Sequence, residues 1–111
     1  GEYMRPALGV YAVRAGVPQD GRIVWHDGVA NLGLRPTVGG DRLLLETHLF
    51  DFEGDLYGLH LRIALVDFLR PERKFASFDA LKAQISDDSR QARQLLLARS
   101  IGAGDFVGEE L

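Results

Sequence analysis

Cysteine is absent from the 111 residues, which removes any disulfide framework, thiol nucleophile or cysteine-rich zinc site and agrees with a reducing compartment. The expected location is cytoplasmic. Long apolar runs are missing as well: none approaches the ~20 residues that cross a bilayer, and no charged start leads into an apolar secretory core. Basic charge is not in excess, since 13 Lys and Arg stand against 16 Asp and Glu, a net charge of −3. Without a basic stripe to neutralise phosphates, no nucleic acid is expected as a partner, and no membrane surface either. Methionine occurs once, as Met4, and the chain opens on Gly1, so the sequence reads as a piece of a longer reading frame.

What is present is folding material. Apolar residues make up 46% and charged residues 26%, the balance of a globular protein, and a chain of this length buries about two-thirds of its unfolded surface. One domain, 1–111, is expected. Glycine is frequent, 13 residues, and falls between short β-rich runs, which favours antiparallel β structure. Leu8 to Arg14 suits a strand packed on both faces, and Gly16 to Gly21 is expected to turn the chain. Arg22 to Asn31 reads either as a hairpin or as one long strand bent at Asp27-Gly28. Arg35 to Asp41 is expected to be a loop, because Pro36 gives no amide to a ladder. From Arg42 to Phe50 the two-residue repeat puts Glu46 and His48 on one face and Leu45, Thr47 and Leu49 on the other. Asp51 to Gly58 is rich in turn residues, and His60 to Leu69 alternates as a further strand, with Leu61, Ile63, Leu65 and Val66 as core and Pro71 ending it.

From Ser77 the period becomes helical. Ser77 is a candidate N-cap, Phe78, Leu81 and Ile85 recur at helical spacing, and Asp87-Asp88 predicts a break. Asp88 would then cap a second helix running to about Ser100, with Ala92, Leu95, Leu96 and Ile101 on its buried stripe and Gly102 as its stop. In the tail from Asp105 to Leu111, Phe106 and Val107 are candidates to dock. Strands first and helices last predict an α+β domain, mainly β, built as a closed or nearly closed antiparallel barrel with helices on one side.

Candidate chemistry is sparse. His26, His48 and His60 lack metal-ligand spacing, so surface or hydrogen-bonded roles are preferred. The small residues of Thr37 to Gly40 let amides approach a phosphate, but no helix follows, and they read as a turn. Glu46 lies mid-strand among leucines, either facing solvent or at the rim of an apolar pocket where a carboxylate makes a general base. Arg70 can stack on a flat ring or pair with Glu72. Tyr57 can hold a base or plug the barrel end.

Taken in order, Gly9-Val10-Tyr11, GVANLGLRPT (28–37), LETHLFDFEGDLYG (45–58), FLRPERKF (68–75) and LKAQISDDSRQAR (81–93) resemble the riboflavin kinase domain, in bacteria usually the C-terminal half of the bifunctional FAD synthetase. The resemblance implies a six-stranded Greek-key barrel with C-terminal helices. It implies transfer of the ATP γ-phosphoryl group to riboflavin to give FMN, with Mg²⁺ as the metal and an adenylyltransferase domain upstream in the parent chain. It maps the catalytic base onto Glu46, flavin contacts onto Arg70 and Phe75, and nucleotide contacts onto Leu56 and Tyr57. The family's P-T-A-N segment, which helps to hold Mg²⁺ and the phosphates, does not occur in this sequence. No metal ligand is therefore expected in this chain, a missing first strand is expected, and weak or no activity is expected of the chain alone. An exposed barrel edge would then favour a homodimer or strand exchange. Two rival readings are a non-catalytic flavin or nucleotide-binding barrel and an OB-like binder of single strands, the latter lacking aromatic platforms with basic neighbours.

Overall fold

The computed structural model describes residues 6–54 and 61–102. Four strands, β1 (Gly9–Gln19), β2 (Arg22–Thr37), β3 (Gly40–Leu49) and β4 (Arg62–Pro71), precede one helix, α1 (Phe78–Gly102). All pairings are antiparallel, in the order β3-β2-β1-β4. Three consecutive strands with a fourth returning beside the first make a Greek key, as expected. Among the described residues the sheet is open, with β3 and β4 at its edges.

Between β1 and β2 the chain turns at Asp20-Gly21, whose φ values of 47° and 79° build the two-residue turn that matches strand twist. The turn expected from Gly16 onward is thus corrected: Gly16 pairs with Trp25 inside the ladder, and a Cβ there would lie 2.8 Å from Ile23 Cγ2. That glycine makes room for packing and does not turn the strand. β2 proves to be one long strand through Asp27-Gly28. A Cβ on Gly28 would meet the His48 carbonyl oxygen at 2.4 Å, so the bare backbone is what lets β3 close against it.

The loop expected over Arg35 to Asp41 shrinks to Val38-Gly39, since Pro36 pairs with Asp41 and Thr37 with Gly40. A two-residue turn makes its closing pair the hydrogen-bonded one, so Pro36 falls at a non-bonded position and its nitrogen faces away from β3. β1 pairs with β2 only as far as Leu32, and the missing amide costs no ladder bond there.

β1 is buried on both faces, as the apolar run before Arg14 predicts. One face carries Val10 and Ala12, which pack with Val29, Phe50 and the helix residues Ala92 and Leu96. The other carries Tyr11 and Val13 against Ala30 and Leu32, continuing into Ala15, Val17 and Leu49. Leu61 and Ile63 join that second interior, so the start of β4 and the end of β3 reach one cluster and the sheet coils like a barrel wall.

α1 corrects the expected pair of helices. Ser77 caps it, its hydroxyl accepting from the Ala80 amide at 3.1 Å, but Asp87 and Asp88 do not interrupt it. An aspartate disfavours a helix interior by competing for backbone amides, and here Asp88 is otherwise engaged: Arg70 donates to both its oxygens at 2.9 and 2.7 Å. Ala92 and Leu96 are buried as expected, whereas Leu95, Phe78 and Ile85 are exposed. Arg14 donates to the Leu96 carbonyl at 2.8 Å, and Arg99 grips Asp67 of β4 through two bonds of 2.8 Å, seating the helix across the sheet. No helix among the described residues is long and apolar enough to cross a membrane.

Candidate functional site

The register of three strand pairs decides which side chains meet. Glu46 on β3 is opposite Asn31 on β2, Asn31 is opposite Val10 on β1, and Val10 is opposite Arg70 on β4. These residues form one row across the whole sheet, on the face that carries α1. Three strand spacings put Glu46 and Arg70 about 14 Å apart along it.

Above the row lies a cavity of about 420 Å³. Val10 and Asn31 are its floor, Glu46 and His48 stand at one end, and Arg70, Arg73 and Phe75 at the other. Leu81 and Ile85 close it from the helix, which explains why two residues at core spacing are not core: their apolar stripe lines a cleft. A smaller cleft of about 300 Å³ continues along β2 and β3 and shares Asn31, Glu46 and Glu72.

Glu46 is solvent-accessible, with 57% of its side chain exposed, and among the described residues its ion pair is with Arg35 at 3.2 Å. It can therefore meet a ligand. Arg70 is committed differently from either sequence reading. Its partner is Asp88 rather than Glu72, in a two-point pair, and its remaining nitrogen donates to the Pro71 carbonyl at 3.1 Å. Every nitrogen is thus engaged, and what Arg70 offers a ligand is a flat face, 5.7 Å from the Phe75 ring centre. Arg73 lies closer over the same ring, at 4.8 Å, and donates to Gln84 at 3.1 Å, while Gln84 in turn donates to Asp88 at 2.9 Å. The segment after β4 is clamped to the helix by this network.

Leu56, Tyr57 and His60 lie outside the described residues, as do Phe106 and Val107 of the tail. His26 donates through Nε2 to Gln19 Oε1 at 2.8 Å, and His48 is exposed and meets Phe50 edge-on with ring centres 6.0 Å apart. Sequence reasoning missed Asp88, read as a cap, and gave Asn31 no role. The available signal for Asn31 was a lone amide inside the apolar run Val29 to Leu34.

A further cleft of about 450 Å³ surrounds Trp25, Phe50 and Arg93. Its charged groups are already matched: Arg93 with Asp51 at 3.0 Å, and Asp27 with Arg14 at 3.1 Å. The hydrogen bond from Arg93 and its positive charge hold the Asp51 carboxyl below the ordinary value of 3.8. With the folded value lowered, the contribution to stability is present above the unfolded value and disappears as pH falls through the folded one. An NMR titration should show Asp51 with a midpoint under 3.8, returning toward 3.8 in Arg93→Ala. A parent midpoint at or above 3.8 refutes the pairing.

The sequence profile described as flavokinase, riboflavin kinase, matches residues 1–96. The chain is 48% identical over 90 residues to the bifunctional riboflavin kinase/FMN adenylyltransferase of Escherichia coli (strain K12), covering 80% of this chain and 28% of that one. It is 41% identical over 81 residues to the RNA-binding riboflavin kinase RibR of Bacillus subtilis (strain 168), covering 72% of this chain and 34% of that protein. A crystal structure of a macrolide-efflux protein from Streptococcus pneumoniae superposes with a TM-score of 0.70 at 32% identity, over 82% of this chain and 28% of the other. The chain therefore spans 28% to 34% of the length of these relatives. A profile covering most of the sequence, joined to a Greek-key sheet with a C-terminal helix, places the chain in the riboflavin kinase family.

Proposed function

We propose that residues 1–111 act as the kinase module of a riboflavin kinase, moving the γ-phosphoryl group of ATP to the 5′-hydroxyl of riboflavin to give FMN and ADP. The row Glu46, Asn31, Val10, Arg70 beneath one cavity carries this reading, because it supplies a carboxylate at one end and a flat cationic and aromatic wall at the other. Phosphoryl transfer asks little covalent chemistry of a protein and much positioning. Glu46 would orient the hydroxyl and accept its proton. The hydroxyl oxygen bonds to the γ-phosphorus as the bond from that phosphorus to the bridging oxygen breaks, and the electron pair leaves with ADP. Phe75 would take the flavin ring, with Arg70 holding the wall through Asp88. Leu56 and Tyr57 are assigned to the nucleotide on the family resemblance.

Mg²⁺ is the expected companion of ATP. Among the described residues no group of three or more His, Asp or Glu is placed to hold a metal ion, so these residues do not by themselves fit one, and no step here runs through it. An adenylyltransferase module in the same polypeptide is proposed from the names of the bifunctional relatives. A homodimer is proposed from the β3 and β4 edges, unpaired among the described residues, and a cytoplasmic location from the absence of cysteine. The net charge of −3 argues against nucleic acid as a partner.

The test is a chromatographic assay for FMN from riboflavin and Mg-ATP, run on this chain and on a version preceded by a P-T-A-N segment. FMN is expected from the longer protein, with little or none from the chain alone. Flavin fluorescence quenched without FMN in either would favour a binding-only barrel.

A further inference from the structure

Asn31 holds a buried side-chain acceptor with no partner. Its Oδ1 is shut off from solvent and accepts no hydrogen bond, alone in this respect among the described residues. Leaving a buried polar atom unpaired forfeits its hydration with nothing in return, so such atoms ordinarily wait on a water or a ligand. Asn31 lies in the floor of the cavity, directly across the ladder from Glu46, which brings their Cβ atoms within about 5.5 Å. Glu72 reaches the same side: a Cβ built on Gly33, two residues along and on the same face, would meet its Oε2 at 2.7 Å.

The polar lining of the cavity is therefore divided. Over β2 and β3 it presents the carboxylates of Glu46 and Glu72, with the amide oxygen of Asn31 covered just beneath them, so that a turn of the Asn31 side chain toward the cavity is what brings this acceptor to a ligand. Over β4 and the following segment it presents the guanidinium groups of Arg70 and Arg73 around Phe75. A ligand that satisfies both ends carries several O–H donors on one arm and a planar ring on the other.

Resting on the riboflavin reading above, we propose that Asn31 is a substrate-positioning residue whose Oδ1 accepts a hydrogen bond from a hydroxyl of the polyol arm other than the one that is phosphorylated. Glu46 takes the reacting hydroxyl and Asn31, its cross-strand neighbour, takes one further up the arm. Two fixed points on a flexible polyol set which hydroxyl faces the nucleotide. A site built to receive an O–H group discriminates strongly against an analogue without it, because the acceptor is then left bare.

The experiment measures binding by flavin fluorescence quenching, with riboflavin and its 2′-, 3′- and 4′-deoxy analogues, on the parent chain and on Asn31→Ala. Riboflavin is expected to bind Asn31→Ala about tenfold more weakly than the parent. One analogue is expected to show the same loss on the parent and no additional loss on the variant, so that the cycle closes on one hydroxyl. The analogue arm needs no substitution and reads the contact even if the variant folds poorly, which circular dichroism would reveal. If the parent binds riboflavin and all three analogues alike, the positioning role is overturned while the riboflavin reading stands. If the parent binds no riboflavin, both are overturned.

Discussion

Glu46→Gln is expected to lower the rate of FMN formation by roughly two to four orders of magnitude, the range that a positioned general base contributes. The substitution keeps the shape of the side chain and removes its capacity to take a proton. Folding should survive it. The carboxylate is more than half exposed, and its pairing with Arg35 at 3.2 Å is a surface ion pair, a class worth about 0–1 kcal/mol. Single-turnover chemistry in the version that makes FMN, together with a thermal melt, separates the two effects. A variant with parental turnover would remove Glu46 from the mechanism, and a variant that melts far below the parent would recast it as structural.

The second large effect is on stability. Asp88→Ala is expected to cost about 3 kcal/mol, because it strips the partner from a guanidinium held largely away from water. The side chain of Asp88 is 6% exposed and that of Arg70 is 18% exposed, so solvent screening does little to soften the loss. The same change removes the acceptor for Gln84, and with it the chain of bonds that steadies Arg73 over Phe75. For a domain of this length the melting temperature should fall by on the order of 10–15 °C. Flavin binding should weaken in parallel at temperatures where the variant remains folded. A melting temperature within a degree or two of the parent would show that the pair does not hold the helix to the sheet.

Much of this was legible from residue patterns. The two-sided burial of β1, the Ser77 cap and the division of β3 into an apolar and a polar face follow from rules that act over a few residues. Other features depended on partners far along the chain. Pro36 reads as a loop residue until its outward nitrogen is known to face no neighbouring strand. Asp88 reads as a helix stop until Arg70 arrives from β4 to occupy it. Leu81 and Ile85 have core spacing, and only the placement of α1 over the sheet shows that they wall a cleft. Glu46 could be chosen by resemblance, but its alignment with Asn31 and Arg70 is a property of register, which no single strand encodes.

The strand order has a kinetic consequence. β1, β2 and β3 are joined by two-residue turns and can zip together locally, whereas β4 must return across the long stretch from β3 before Arg70 lies beside Val10. Closing that loop is the entropically expensive step, so the acceptor half of the cleft assembles early and the aromatic half arrives with the last docking event. Refolding followed by the recovery of flavin quenching would then lag behind refolding followed by the fluorescence of Trp25, which pairs with Gly16 in the β1–β2 ladder, and the ligand would act as a clock for the end of folding.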